Sequence, residues 1–497
     1  MPDDLPLTLP SEPAPGNASG LPPGRNTSDP AAPAVSRPPP RPGVCPMGCA
    51  AGRGDLLAAA LRDNLGAPPS PLPAKDRQAA IEQIMPRILL QTTPAWRAAC
   101  LTQVAQIPSG YTYLAQLMGH DMGRSVPADE VPYLGRRAPR YNLIDNPLTL
   151  ETIYGPGPGM LAHVYDPETL LFRLSPGVRL ARIYARGRDN QADPDPRPIR
   201  ALYDERNRDS LMLHELAVAW MQFHNRNART LLGRGLDAQA AYCQARAHAV
   251  RVWRAILLGD VLPRFLHPQI AALPEPLPDA FALDEGTLLH GLCRAFHAMP
   301  LASYNLGRSG RHNLGRLLKR GYDISEAEAV WRVDWSLFFG ATAGGPMTGV
   351  SASVAPELRA PVTARAVIAL DNATADIADP LRVGNPEIQA AISALPDTWP
   401  QQLTTAQLAA DFNAAHPDAP VALDAATLDW GPLFQFLMVE AQVHGQNGGF
   451  GPLGSALLRA TVLDLVQDLI LADARPEVAD LPQPATMLQL ITLVRTE

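Results

Sequence analysis

Cysteine is scarce in this 497-residue chain, and Cys45, Cys49, Cys100, Cys243 and Cys293 form an odd, widely spaced set. Such a set does not read as a disulfide framework. Cys45 and Cys49 bracket Pro-Met-Gly, yet two ligands rarely suffice for a structural metal. No run of 18 or more apolar residues occurs, so no membrane span is expected. The first residues, Met1-Pro-Asp-Asp-Leu5, lack the basic and apolar regions of a secretory signal. The default expectation is a soluble, cytoplasmic protein, with non-classical export left open. Positive charge is not in excess: 42 Lys and Arg face 49 Asp and Glu, a net charge of −7. That argues against nucleic-acid binding, which usually needs a basic stripe. Several catalytic signatures are also missing. There is no His-Glu-x-x-His, no zinc-spaced His/Cys cluster, no Gly-x-Ser-x-Gly elbow and no Walker loop. Gly155-Pro-Gly-Pro-Gly159 is a turn-rich loop, because its prolines remove the amides a phosphate cradle needs.

Proline, by contrast, is abundant at 52 residues, and 13 of them fall within residues 1–43. Proline donates no backbone hydrogen bond, and this stretch has little apolar mass to bury. Residues 1–52 therefore read as a disordered or polyproline-like leader, with docking to an unknown protein partner as its functional alternative. Hydrophobic residues make up 46% of the chain, enough for a substantial core. Folded sequence is expected over 53–475, followed by a tail at 476–497. Helices are expected at 56–62, 111–123, 209–232, 238–258, 284–299, 433–442 and 455–471. The stretch 126–205 is rich in Pro, Gly and Asp and reads as long loops with short strands. The fold class is mainly α with long irregular connections.

Among the candidate functional residues, Gln116 and His120 lie four apart and share one helical face, while Asp121 points elsewhere. His214 and His224 sit on a second helix, and His297 near the end of a third. With the other chemistries excluded, the residues suit a cofactor held by one histidine, with polar groups from another helix on its far side. Haem has those needs: an axial ligand and a tuned distal pocket.

Several segments occur in an order that resembles the animal-type haem peroxidase (peroxidase–cyclooxygenase) superfamily, particularly bacterial peroxinectin-like members. They are Gln116-Leu-Met-Gly-His120-Asp121, Ile153-Tyr-Gly155, Asp204-Glu-Arg206-Asn-Arg-Asp209 with His214 and His224-Asn225, and Arg294 to His297 continuing to Leu306. Trp331 to Phe339 and Pro432 to Gly454 complete the set, so the resemblance spans roughly residues 95–470. It implies a haem peroxidase-like fold with haem b buried between distal and proximal helices. His297 would be the proximal iron ligand, His120 the distal acid–base, and Arg206 the cation that stabilises departing hydroxide. Gln116 would orient distal water or halide, and Arg294 would pair with a haem propionate. Asp209 stands where the family has a Glu esterified to haem. Asp121, with Thr149 and Glu151, stands where the family binds Ca2+. The implied reaction reduces H2O2 and oxidises a small reductant or halide through a ferryl intermediate.

The chain also departs from the family. Gly119 replaces an esterified acid and Ser210 a sulfonium-forming methionine, which removes those two links, while the shorter arm of Asp209 leaves the remaining ester, and so non-covalent haem, open. Thr149 replaces an expected Asp, and Phe296 replaces a glycine. No clean Asn-x-x-Arg motif for the proximal histidine's partner is found between 340 and 430, where Asn372 and Asn385 are the candidates. A degenerate haem-binding or interaction protein, with weak or no peroxidase activity, is therefore the alternative. A fatty-acid dioxygenase fits less well, since Arg294 stands where those members carry a tyrosine.

Overall fold

The computed structural model describes residues 90–495, apart from gaps of which the largest are 128–139, 185–197, 320–330 and 359–403. The leader, the Cys45/Cys49 pair, the helix expected at 56–62, Asp209, Asn372 and Asn385 all lie outside the described residues. The architecture is mainly α, as expected. The principal helices are α1 (Pro94–Val104), α2 (Gly110–Met122), α3 (Leu211–Gly233), α4 (Ala238–Ile256) and α5 (Cys293–Ala298). They continue with α6 (Thr405–Ala415), α7 (Leu433–His444), α8 (Pro452–Leu458), α9 (Asp464–Ala472) and α10 (Met487–Arg495). The described strands form short antiparallel pairs, such as Ser125–Pro127 with Arg140–Asn142 and Ile107–Pro108 with Met347–Thr348.

Local chemistry accounts for several helix starts. Ser210 caps α3 by accepting from the Leu213 amide at 3.1 Å, and Asp237 caps α4 through the Ala240 amide at 2.7 Å. Pro94 at the first turn and Thr93 before it begin α1. Helix α8 has no capping side chain of its own, and a distant residue supplies one. The buried Glu440 of α7 accepts from the Leu453 amide at 2.6 Å and the Gly454 amide at 2.9 Å. A carboxylate there satisfies the orphan donors and complements the helix dipole.

Helix α2 is buried along its whole length. A helix apolar all round belongs in the interior, and here that places the chemistry-bearing Gln116 and His120 among core helices. Gly110 allows its close approach, because a Cβ there would stand 2.7 Å from the Phe338 carbonyl oxygen. The core includes Trp220, Trp253, Trp335, Phe223, Phe265 and Phe296, all essentially inaccessible.

Three helical runs differ from their expected form by a π segment: Leu257–Val261 after α4, Leu288–Leu292 before α5, and Arg459–Leu463 between α8 and α9. One extra residue per turn leaves little sequence trace, and such bulges often lie near functional sites. Within the helix expected at 284–299, the described residues form a π turn at Leu288–Leu292 followed by the six residues of α5.

Residues 487–495, expected in a tail, form a helix that docks on α3. Arg226 donates to the Leu493 carbonyl at 3.2 Å, and Arg495 reaches Glu215 at 2.7 Å. Glu215 also accepts from Trp335 Nε1 at 3.1 Å and the Val333 amide at 3.2 Å. A period-3.6 apolar stripe (Met487, Leu490, Ile491, Val494) was the sequence signal for this helix, and all four residues are buried. Cys243 is disulfide-bonded, which the sparse cysteine set did not foretell.

Candidate functional site

Helices α2 and α5 bring His120 and His297 together from 177 residues apart, with their Nε2 atoms 3.5 Å from each other. The ring centroids are 5.6 Å apart and the planes meet at 44°. The partners of the opposite nitrogens fix the tautomers. His297 Nδ1 lies 2.8 Å from the Cys293 carbonyl, which only accepts, so Nδ1 carries the proton. His120 Nδ1 lies 2.9 Å from Asn207 Oδ1. That amide is oriented in turn: Asn207 Nδ2 donates to the Thr152 carbonyl at 3.1 Å and to Thr152 Oγ1 at 2.9 Å. His120 Nδ1 is therefore also a donor, and the two Nε2 atoms face one another at 3.5 Å. Burial lowers the His120 pKa to about 3, the Arg206 charge adds to this, and Asp204 opposes it. His120 is neutral at ordinary pH.

The pair opens on a cavity of about 190 Å³ lined by Gly119, Arg124, Glu205, Arg206, Cys293 and Arg294 among others. Arg206 is near His120, but its guanidinium is already engaged. It pairs with buried Asp204 and donates to the Gly123 carbonyl at 2.6 Å and the His120 carbonyl at 2.9 Å. Against the raising effect of burial, these Arg206 bonds and its charge hold the Asp204 carboxyl below its usual range. Arg206 thus braces the end of α2. Gln116 donates to the Phe296 carbonyl on α5 at 3.3 Å.

These contacts decide how the site relates to haem. A porphyrin held by His297, with His120 on its far side, would need van der Waals clearance on both faces between the two helices. Here the nitrogens are 3.5 Å apart and Gln116 bonds directly across to the opposite helix. A Cβ on Gly119 would already sit 3.5 Å from Cys293 Cβ. The cavity is also below the roughly 300–1,000 Å³ of sites for drug-sized ligands. The expected placement of haem between the distal and proximal helices does not fit this arrangement, and would require α2 and α5 to separate.

The expected calcium ligands do not converge either. Asp121 is fully buried, and its oxygens accept from the Leu150 amide at 2.8 Å, Thr152 amide at 3.2 Å and Trp253 Nε1 at 3.1 Å. Burial raises its pKa to about 7 against the lowering effect of those amides. Glu151 accepts from the Asp145 amide at 3.2 Å and the Asn146 amide at 2.7 Å, while the Thr149 hydroxyl donates to the Asn146 carbonyl at 2.6 Å. The carboxylates are engaged by N–H donors, and among the described residues no group of three His, Cys, Asp or Glu could hold a metal. In this region the loop is closed by amides. Gly155, ending the short helix Glu151–Tyr154, has φ +54°, which favours glycine.

Of the expected site residues, His120, Arg206, Arg294 and His297 line the same cavity, while Gln116 bridges to α5 beside it. His224 is structural: its Nδ1 meets Tyr154 Oη at 3.0 Å inside a buried aromatic group. Asn207 was missed, although it directly follows Arg206 in the segment singled out. Its role depends on Thr152, 55 residues away, and no local pattern records that.

No family model matches the chain, and no curated protein matches it. Among solved structures, it is similar to peroxidase A from Dictyostelium discoideum, with TM-score 0.49 and 12% identity over 78% of this chain and 84% of that chain. A fatty acid alpha-dioxygenase from Oryza sativa gives TM-score 0.48 and 10% identity over 79% and 73%. One from Arabidopsis thaliana gives TM-score 0.39 and 11% identity over 78% and 70%. Among the described residues, no helix is long and apolar enough to cross a membrane.

Proposed function

We propose that this chain is a degenerate relative of the haem peroxidases, a binding protein that retains the two site histidines without turning over peroxide between them. One observation carries the reading: His120 and His297 meet at 3.5 Å, where a haem would have to lie. Gln116 reinforces the closure by bonding to α5. Titration of the purified full chain with haemin tests it. The expected result is no Soret band that depends on His297, and no peroxide-dependent oxidation of guaiacol or bromide. A Soret band lost in His297→Ala, together with oxidation lost in His120→Ala, overturns the reading.

A second reading, a haem peroxidase acting on H2O2 with a small reductant or halide, is favoured by the donor set. The Nε2 atoms of His120 and His297 are directed at one point, with their Nδ1 atoms anchored as an axial ligand and an acid–base group require. It demands separation of α2 from α5, and the same titration decides between the two. Arg294, three residues before His297, weighs against fatty-acid oxygenation.

A further inference from the structure

The α3–α4 interface buries donors that the protein itself leaves unanswered. Tyr242 and Arg246 lie one turn apart on α4, so they share one side of that helix. Around them are His224 of α3 and Tyr154, whose ring centroids lie 5.2 and 6.2 Å from that of Tyr242. The Arg246 guanidinium carbon sits 4.8 Å from the Tyr154 ring centroid. A ring face attracts a cation but gives its N–H groups no lone pair in the plane of the guanidinium. Arg246 makes no hydrogen bond or ion pair among the described residues, and its Nε is inaccessible to solvent. The carboxylate whose charge reaches it, Glu151, has both oxygens held by the Asp145 and Asn146 amides.

Two neutral donors share this position. Tyr242 is buried, and its Oη is inaccessible and without a hydrogen-bond partner. Its neighbour Tyr165 gives its own proton to the Tyr154 carbonyl at 2.8 Å. His224 is fully buried, and burial, helped by the Arg246 charge, lowers its pKa to about 3, so the ring is neutral. The Tyr154 hydroxyl has no acceptor other than His224 Nδ1 at 3.0 Å, so it donates there and the ring proton is on Nε2. That Nε2–H also lacks a partner. Three unanswered donors, one of them charged, are costly to bury, and buried cations are ordinarily paired. There is room for a partner beside them. The turn at 155–159 passes over Tyr242. Beyond its chain neighbours, a Cβ built on Gly157 would meet only the Tyr242 Oη within 4 Å, at 3.5 Å. Arg246 is part-buried as a whole, which gives a small ion a way in.

We infer that Arg246, Tyr242 Oη and His224 Nε2 form a site for one small monovalent anion of chloride size, covered by the turn at 155–159. One guanidinium charge matches one anion charge, and the O–H and N–H donors replace the ion's hydration. Each group offers a proton, and the guanidinium repels cations. None of these residues lines the cavity beside His120 and His297, so the site stands whether or not α2 and α5 separate. The bound ion would tie the turn to α3 and α4.

The test uses the full-length protein, exchanged into sodium gluconate and titrated with sodium chloride at constant ionic strength. Chlorine NMR line broadening reads binding, and the melting temperature is followed in parallel. One saturable site is expected, with a melting temperature that climbs as the site fills. Tyr242→Phe removes one donor and keeps the ring, so affinity should fall at least about ten-fold. Arg246→Gln should abolish saturable binding. Arg229→Gln, which removes an exposed cation of α3, should bind as the parent does. Where Arg246→Gln fails to fold, Tyr242→Phe and a bromide-soaked crystal of the parent decide, with an anomalous peak expected between Tyr242 Oη and Arg246. Three results each overturn the inference: no saturable chloride effect in the parent, binding unchanged in folded Tyr242→Phe and Arg246→Gln, or bromide only at other positions.

Discussion

Adjacent residues on α2 face opposite fates. His120 looks across at a second histidine and into a cavity, with its Nε2 3.5 Å from the Nε2 of His297. Asp121 looks into the protein, where three N–H donors from Leu150, Thr152 and Trp253 engage its two oxygens. One side chain is held in place while its chemistry stays available. The other is consumed by the fold. The family resemblance assigns acid–base chemistry beside haem to His120 and calcium binding to Asp121. The difference shows that residue type and spacing bring a group to the right place, while its hydrogen-bond partners decide whether it can still bind anything.

The sharpest way to break this comparison is to remove each group. Asp121→Ala should strip three buried donors of their acceptor and destabilise the protein by about 3–5 kcal/mol in urea unfolding. An effect below about 1 kcal/mol would mean that Asp121 is no structural centre.

A second carboxylate tests the same principle through pH. Glu440 is fully buried against the amides of α8, and burial raises its pKa from 4.5 to about 7 against their lowering effect. The folded state therefore holds this proton more tightly than the unfolded state. Its contribution to stability is complete below about pH 4.5 and is lost as pH rises to about 7, by about 3 kcal/mol in all. Glu440→Gln should flatten that window in unfolding curves measured at pH 5 and pH 7.5. An unchanged slope would show that Glu440 stays ionised throughout.

On the open side of the comparison, effects on stability should be small. Both histidines already line a cavity, so His120→Ala or His297→Ala enlarges an existing space and the net change should be within about 1 kcal/mol. A loss of 3 kcal/mol or more would make the pair structural, as Asp121 is. The smallest effect is expected from calcium. Millimolar Ca2+ should leave the melting temperature unchanged, since the oxygens of Asp121 and Glu151 are engaged by N–H donors. A rise of several degrees would show that the loop reopens for the ion.

Much of the architecture was legible along the chain. The helices at 110–122, 211–233 and 238–256 follow from periodicity and from capping by Ser210 and Asp237. The short strands and loops among the described residues of 126–205 follow from Pro, Gly and Asp. The π turn before α5 was not legible, because an i→i+5 bond changes spacing by one residue without changing composition. Helix α10 was passed over as a tail although its stripe was present, since a nine-residue helix needs the α3 surface and Glu215 to hold it.

The sequence by itself determined which side chains are on hand: Gln116, His120 and Asp121 on one helix, Arg206 and Asn207 in one turn, Arg294 and His297 on another. Helical spacing fixed their directions, because 3.6 residues per turn leaves little choice. Tertiary structure alone decided the distance between His120 and His297, the engagement of Arg206 by the Gly123 and His120 carbonyls, and the saturation of Asp121. The first depends on how closely α2 approaches α5 and the others on how the neighbouring segments pack around α2, each the sum of many contacts spread through the core. A local pattern can name a ligand; only the packed interior sets whether the space beside it admits a porphyrin or nothing.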